Sequence, residues 1–155
     1  MANLEASTFR AVGKSDERMY GHPAVILAGA TEAEQNAVRE LMNANGLGAI
    51  PAIVVTRDTI DTTLTDLAAL PAGSGFGVEE KLPRAVVMSG LTEAQFHALM
   101  DSYRQSGLPR PIWATVTEHS ASWTIKALLI ELLKEGQALR AAAQAVPDQR
   151  SDGDQ

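Results

Sequence analysis

Two short apolar runs, AVILAG at residues 24–29 and AVVMSG at residues 85–90, stand out from polar surroundings. Their length and β-branched content predict buried strands. Behind them come Thr31 and Thr92 and, three residues later, Glu34 and Gln95. This is the spacing of a capping box, in which a hydroxyl and a longer polar side chain satisfy each other's backbone N–H groups, so a helix is predicted after each strand. Val38, Leu41 and Met42 supply the apolar stripe of the first helix, and Phe96, Leu99, Met100 and Tyr103 that of the second. Gly46 and Gly107 are predicted to end them. A further strand follows in each case, IPAIVVT (50–56) or IWATVT (112–117). A last helix is expected to start near Asp58 or Ser120. Its core stripe would be Ile60, Leu64, Leu67 and Ala68, or Ala121, Ile125, Leu128, Leu129 and Leu132.

The same βαβα sentence is therefore written twice. Residues 24–70 align with 85–131 at a constant offset of 61, without a gap, and thirteen of 47 positions are identical. The identities fall at caps, turns and strand ends, such as Gly29/Gly90, Thr31/Thr92, Thr56/Thr117 and Thr63/Thr124, where backbone geometry dictates residue type. The expected fold is α/β: two duplicated βαβα units forming one four-stranded sheet covered by helices. Two strands alone make no stable sheet in water, so each unit needs the other. Within a unit a helical crossover favours parallel pairing. A pseudo-twofold between units would make the central pair antiparallel. The expected organisation is an N-terminal arm at 1–22, with a short strand around Phe9–Val12, then repeats at 23–70 and 84–145. A Gly/Pro-rich linker at 71–83 joins the repeats, and a disordered tail at 146–155 follows; the two repeats form one domain.

Composition narrows the function classes. With 155 residues and 45% hydrophobic content the chain can bury a sizeable core. It has no cysteine, which removes thiolate catalysis, disulfides and Cys-based metal sites. The net charge is −6 and the 13 Lys and Arg are scattered, against nucleic-acid or membrane binding, both of which need clustered basic charge. The first residues lack the apolar core of a secretory signal, and no run approaches a bilayer span, so the expected location is the cytoplasm.

Candidate chemistry gathers where helix N-termini meet strand C-termini, the usual ligand position of open α/β sheets. The turns AGAT and SGLT carry one glycine each and no lysine in register, so they match neither a dinucleotide nor a P-loop motif. They read first as capped turns and second as an anion cradle. The candidate ligand-binding set is Ser89, Gly90 and Thr92 with Thr117, Glu118, His119 and Ser120. A base role for His119 is weighed and set aside, because side chains adjacent in sequence rarely meet in triad geometry. His22, His97 and His119 lack metal-ligand spacing, and no metal or cofactor is expected. The last helix of the second copy has a second apolar line, with Trp123, Ile130 and Leu133 the candidate interface residues; the first copy has Thr62 opposite Trp123. A helix apolar on two faces must bury both, either against the N-terminal arm or the helix extension at 137–145, or in a homodimer or partner surface.

The run from Ser89 to Glu135 has a Ser89–Gly90 turn after a strand, an Ala114-to-Thr117 strand, a Trp123–Thr124 pair opening the last helix and a Glu131–Leu132–Leu133 ending. In these features it resembles an uncharacterised bacterial and archaeal family, the domain of unknown function thirty-seven eighty-three. The resemblance covers about a third of the chain, or about two thirds if the first copy is a degenerate member. It implies a small α/β domain and carries no established activity. The function expected is therefore a non-enzymatic module that binds a protein partner or forms a homodimer. The alternative is a small anionic-ligand binding or regulatory domain that uses helix N-termini.

Overall fold

Two five-residue strands, β1 (Ala24–Ala28) and β3 (Ala85–Ser89), are buried at every position because they form the centre of one sheet with helices on both sides. The computed structural model describes residues 17–154; the strand suggested near Phe9–Val12 lies outside them. The remaining elements are α1 (Glu32–Ala44), β2 (Ala52–Val54), a 3-10 turn (Arg57–Thr59), α2 (Leu64–Ala68), α3 (Glu93–Gln105), β4 (Ile112–Thr115) and α4 (Ile125–Asp154). The sheet order is β2-β1-β3-β4. β1 pairs parallel with β2 and β3 parallel with β4, while β1 and β3 are antiparallel. In that central ladder Ile26 faces Val87, its own equivalent under the 61-residue offset, so a pseudo-twofold axis passes between them.

Alternation along the strands sorts the core into two layers. Val25, Leu27, Val86 and Met88 meet Val38, Met42, Leu99 and Tyr103 of α1 and α3. Ala24, Ile26, Ala85 and Val87 meet Leu64, Leu67, Ile125 and Leu128 of α2 and α4. The predicted capping boxes are present on both long crossover helices: Thr31 Oγ1 accepts from the Glu34 N–H and Thr92 Oγ1 from the Gln95 N–H. At Gly29 and Gly90 the turn glycines are required by close approach, since a Cβ there would strike the Leu82 or Gly21 carbonyl oxygen.

The last helix of each unit starts later than the pattern suggests, at Leu64 and Ile125 rather than near Asp58 and Ser120. The caps are Thr63, whose hydroxyl accepts from the Asp66 N–H at 3.2 Å, and Thr124, which accepts from the Ala127 N–H at 3.1 Å. Residues before them are committed to the axis instead. Thr63 and Thr124 form an antiparallel bridge, with the Leu64 N–H donating to the Trp123 carbonyl and the Ile125 N–H to the Thr62 carbonyl, both at 2.9 Å. α2 is then five residues long. Pro71 stands shortly after it and cannot continue a helix. The equivalent position in the second unit is Leu132, and α4 runs on through it to Asp154, past Pro147 and through the segment expected to be a disordered tail. β2 is shorter than β4 for a related reason: Pro51 has no N–H, whereas its equivalent Ile112 donates to the Arg84 carbonyl at 2.9 Å.

The Gly/Pro-rich connector does more than join the repeats. It lies along the outer edge of β2, with the Val54 N–H donating to the Ser74 carbonyl (2.8 Å) and the Gly73 N–H to the Ala52 carbonyl (2.9 Å). Gln35, fully buried on α1, pins it: its side-chain NH2 donates to the Ala30 and Val78 carbonyls and its Oε1 accepts from the Gly77 N–H. Arg39 stacks over the Phe76 ring at 3.8 Å from the centroid.

Candidate functional site

The βα turns carry the candidate ligand residues, and most of their polar groups are spent on the turns themselves. The Gly90 N–H donates to the Tyr20 carbonyl at 3.0 Å, and the Gly90 carbonyl accepts from Arg18 Nε at 3.0 Å, so the arm before β1 lies across this turn. Thr92 is bridged to Arg18 and engaged in its capping box. Thr117 and Ser120 close on each other: the Thr117 N–H donates to Ser120 Oγ at 3.0 Å and the Ser120 N–H to Thr117 Oγ1 at 3.1 Å. Thr56 and Thr59 hold the same turn in the first unit, where the Thr56 N–H donates to Thr59 Oγ1 at 2.9 Å. Glu118 and His119 are exposed. The His119 ring stands edge-on to Trp123, 5.5 Å between centroids, and among the described residues it makes no hydrogen bond to a hydroxyl or carboxylate. The arrangement offers no base–nucleophile pair there.

The chain's own carboxylates take two N–H groups at the C-terminal ends of the first unit's strands. The Glu32 N–H at the start of α1 donates to Glu79 Oε2 at 2.8 Å, and the Arg57 N–H donates to Glu80 Oε2 at 2.7 Å. The surface cleft beside them, about 560 Å³, is lined by Arg57, Ile60 and residues 79–82. Among the described residues no group of three His, Asp or Glu gathers to hold a metal ion, and no helix is long and apolar enough to cross a membrane.

Ser89 differs from the other candidates. It is 1% exposed and its hydroxyl has no hydrogen-bond partner. It borders a cavity of about 290 Å³ that also reaches Val116, Thr65 and the arm at Tyr20–His22. The cavity thus joins the end of β3 to the residue after β4. No motif marked it, because Gly21 and Ala68, which leave the space, have no signature of their own.

The candidate interface residues part company. Trp123 packs on the core layer beneath α4, whereas Ile130 and Leu133 stay 46% and 38% exposed. Leu139, further along the same helix, is 72% exposed. Leu133 and Leu139 share a shallow hollow with Ile112 and Trp113 of β4, and Trp113 lines a second hollow on the other face with Tyr103 and Arg110. The edge of β4 was not flagged by the sequence pattern, since an edge strand and an inner strand read alike in so short a run.

Searches of curated proteins and of solved structures return no match to this chain. Residues 84–139, which take in β3, α3, β4 and the first half of α4, match the family model described as Domain of unknown function (DUF3783).

Proposed function

We propose that this protein is a non-enzymatic interaction module whose contact face is the outer edge of β4 with the adjoining side of α4, and that a second copy of the chain seats there. One observation carries the reading. The two sheet edges are equivalent by the internal duplication, yet they are treated differently. At β2 the Val54 N–H and Ala52 carbonyl are bonded to the connector. Their equivalents at β4 are the Thr115 N–H and the Trp113 carbonyl. The Ile112 and Val116 N–H groups donate inward, to the Arg84 and Met88 carbonyls, and backbone direction alternates along a strand, so Trp113 and Thr115 present their backbone groups outward. Among the described residues nothing bonds to them.

An open edge flanked by apolar side chains is a template for strand addition. Leu133 and Leu139 stand beside this one, with Glu135 and Arg140 alongside them. A twofold copy would pair two β4 strands antiparallel, the same geometry that already joins β1 to β3, and the mixed charges would set acid against base. The absence of a base–nucleophile pair around His119 supports a binding role over catalysis. The anion-binding alternative has less support, because Glu79, Glu80 and the arm carbonyl of Tyr20 already occupy three of the N–H groups it needs.

Sedimentation velocity of the wild type and Leu133→Asp tests the proposal. The wild type is expected to sediment as a dimer at tens of micromolar, and the variant as a monomer that keeps the wild-type circular dichroism spectrum and melts lower by the lost association. A monomeric wild type, or a variant that dimerises equally well, overturns it.

A further inference from the structure

The duplication supplies an internal control for the cavity beside Ser89. Its walls include Gly21 from the arm, Ala68 from α2, Ser89 from β3 and Val116 after β4. Adding or subtracting 61 gives the equivalent residues on the other side of the pseudo-twofold: Leu82, Leu129, Ala28 and Val55. There Leu82 packs onto the core and Leu129 is 4% exposed, so two leucine side chains stand where Gly21 and Ala68 leave room, and Ala28 brings no hydroxyl. On the Ser89 side both leucines are missing and a hydroxyl has been added. Gly21 and Ser89 go together, since a Cβ on Gly21 would collide with Ser89 Oγ, and the φ of Gly21, +107°, favours glycine in any case.

A buried hydroxyl without a partner costs stability, and native proteins almost always satisfy such groups. An apolar replacement is already present at the equivalent position as Ala28. We infer that the cavity is a binding site for a small uncharged molecule, an alcohol or a primary amide, that hydrogen-bonds the Ser89 hydroxyl. The volume, about 290 Å³, falls at the small end of ligand pockets. Its wall contains no Asp, Glu, Lys or Arg, and its one imidazole, His22, is exposed on the arm, which argues against a charged ligand. Ser89 can donate and accept. Thr65, whose hydroxyl donates to the Ala121 carbonyl at 3.0 Å, keeps an acceptor lone pair. Ala68 and Val116 give the apolar side. This inference is independent of the β4 edge.

The test is a titration of the 15N-labelled full chain with acetamide and with 2-propanol, read by amide chemical shifts. Saturable shifts are expected at Gly21, Ser89 and Val116. Ala68→Leu, which copies Leu129, should abolish them. Ser89→Ala, which copies Ala28, should weaken binding about tenfold, the usual worth of one neutral hydrogen bond. The spectrum away from the cavity reports whether each variant folds, and Thr65→Lys, copying Lys126, is a second blocking variant at an exposed position. No saturable shift at those three amides overturns the inference. So does equal saturation in the blocked variants, or a crystal structure grown with either probe in which Ser89 Oγ holds only a water.

Discussion

Tyr103 shows how a single side chain ties this protein to its surroundings. Its hydroxyl donates to the Pro109 carbonyl, and its ring stands edge-on to Trp113 with centroids 5.2 Å apart. Burial pushes its pKa up, the Glu34 carboxylate adds to the rise, and Arg84 partly opposes it. The unfolded chain releases this proton near the ordinary tyrosine value of about 10. Between that pH and the higher folded-state value, the folded protein holds a proton that the unfolded chain has lost. Stability from this group is thus complete below pH of about 10 and declines as pH rises further. Urea unfolding from pH 8 to pH 11.5 should show that decline in the wild type. Tyr103→Phe should flatten it and lower the neutral-pH stability by about 1 kcal/mol, for the lost hydrogen bond. An identical alkaline decline in both proteins would remove the argument. Glu34 itself is legible in sequence only as a capping residue. The fold gives it a second task, a paired contact with Arg84 at 3.2 and 3.0 Å, because the residue preceding β3 lands over the start of α1.

At the scale of elements, sequence signals were reliable wherever one local rule acted alone. Thr31 and Thr92 had a carboxylate or amide at the right spacing and an apolar stripe behind them, and Gly46 and Gly107 closed the same helices, so both crossovers are where they were expected. The signal failed where two rules competed. Residues 56–63 hold two hydroxyl-bearing turn starts, Thr56 with Thr59 and then Thr63. Nothing local says that the backbone between them pairs across the pseudo-twofold, so the pattern alone places the helix start near Asp58 rather than at Leu64. Gln35, and the cavity beside the candidate Ser89, are not legible in sequence for a different reason. Their roles come from residues more than forty positions away in one case and from the arm in the other, contacts that exist only once the sheet has formed. The caps can be tested directly. Thr63→Ala and Thr124→Ala should each cost about 1 kcal/mol in urea unfolding. Replacing the earlier Thr59 by alanine should leave the α2 amides protected in hydrogen exchange, whereas Thr63→Ala should expose them. Equal loss of α2 protection in both variants would mean that the helix does start at the earlier turn.

At the scale of the molecule, the order β2-β1-β3-β4 makes the two halves mutually dependent. Separating them at the pseudo-twofold would bare the full length of β1 and β3, ten residues that are all buried, and would break the paired backbone bonds at Thr63 and Thr124. Yet the family model covers one unit, from residue 84 to residue 139. A single unit has an obvious route to the same architecture, because the central ladder is built on equivalent residues. Ile26 opposite Val87 becomes Val87 opposite Val87 when two identical second units meet, with the same antiparallel register and the same axis. A polypeptide of residues 84–143 is therefore expected to show no folded monomer. It should be unfolded when dilute and, as concentration rises, gain its secondary structure together with a dimeric sedimentation coefficient. Val87→Asp, which sets two carboxylates against each other on the axis, should abolish the gain. A folded, monomeric single unit would mean that β3 can end a sheet by itself, and the duplication would then need an explanation other than the burial of a shared edge.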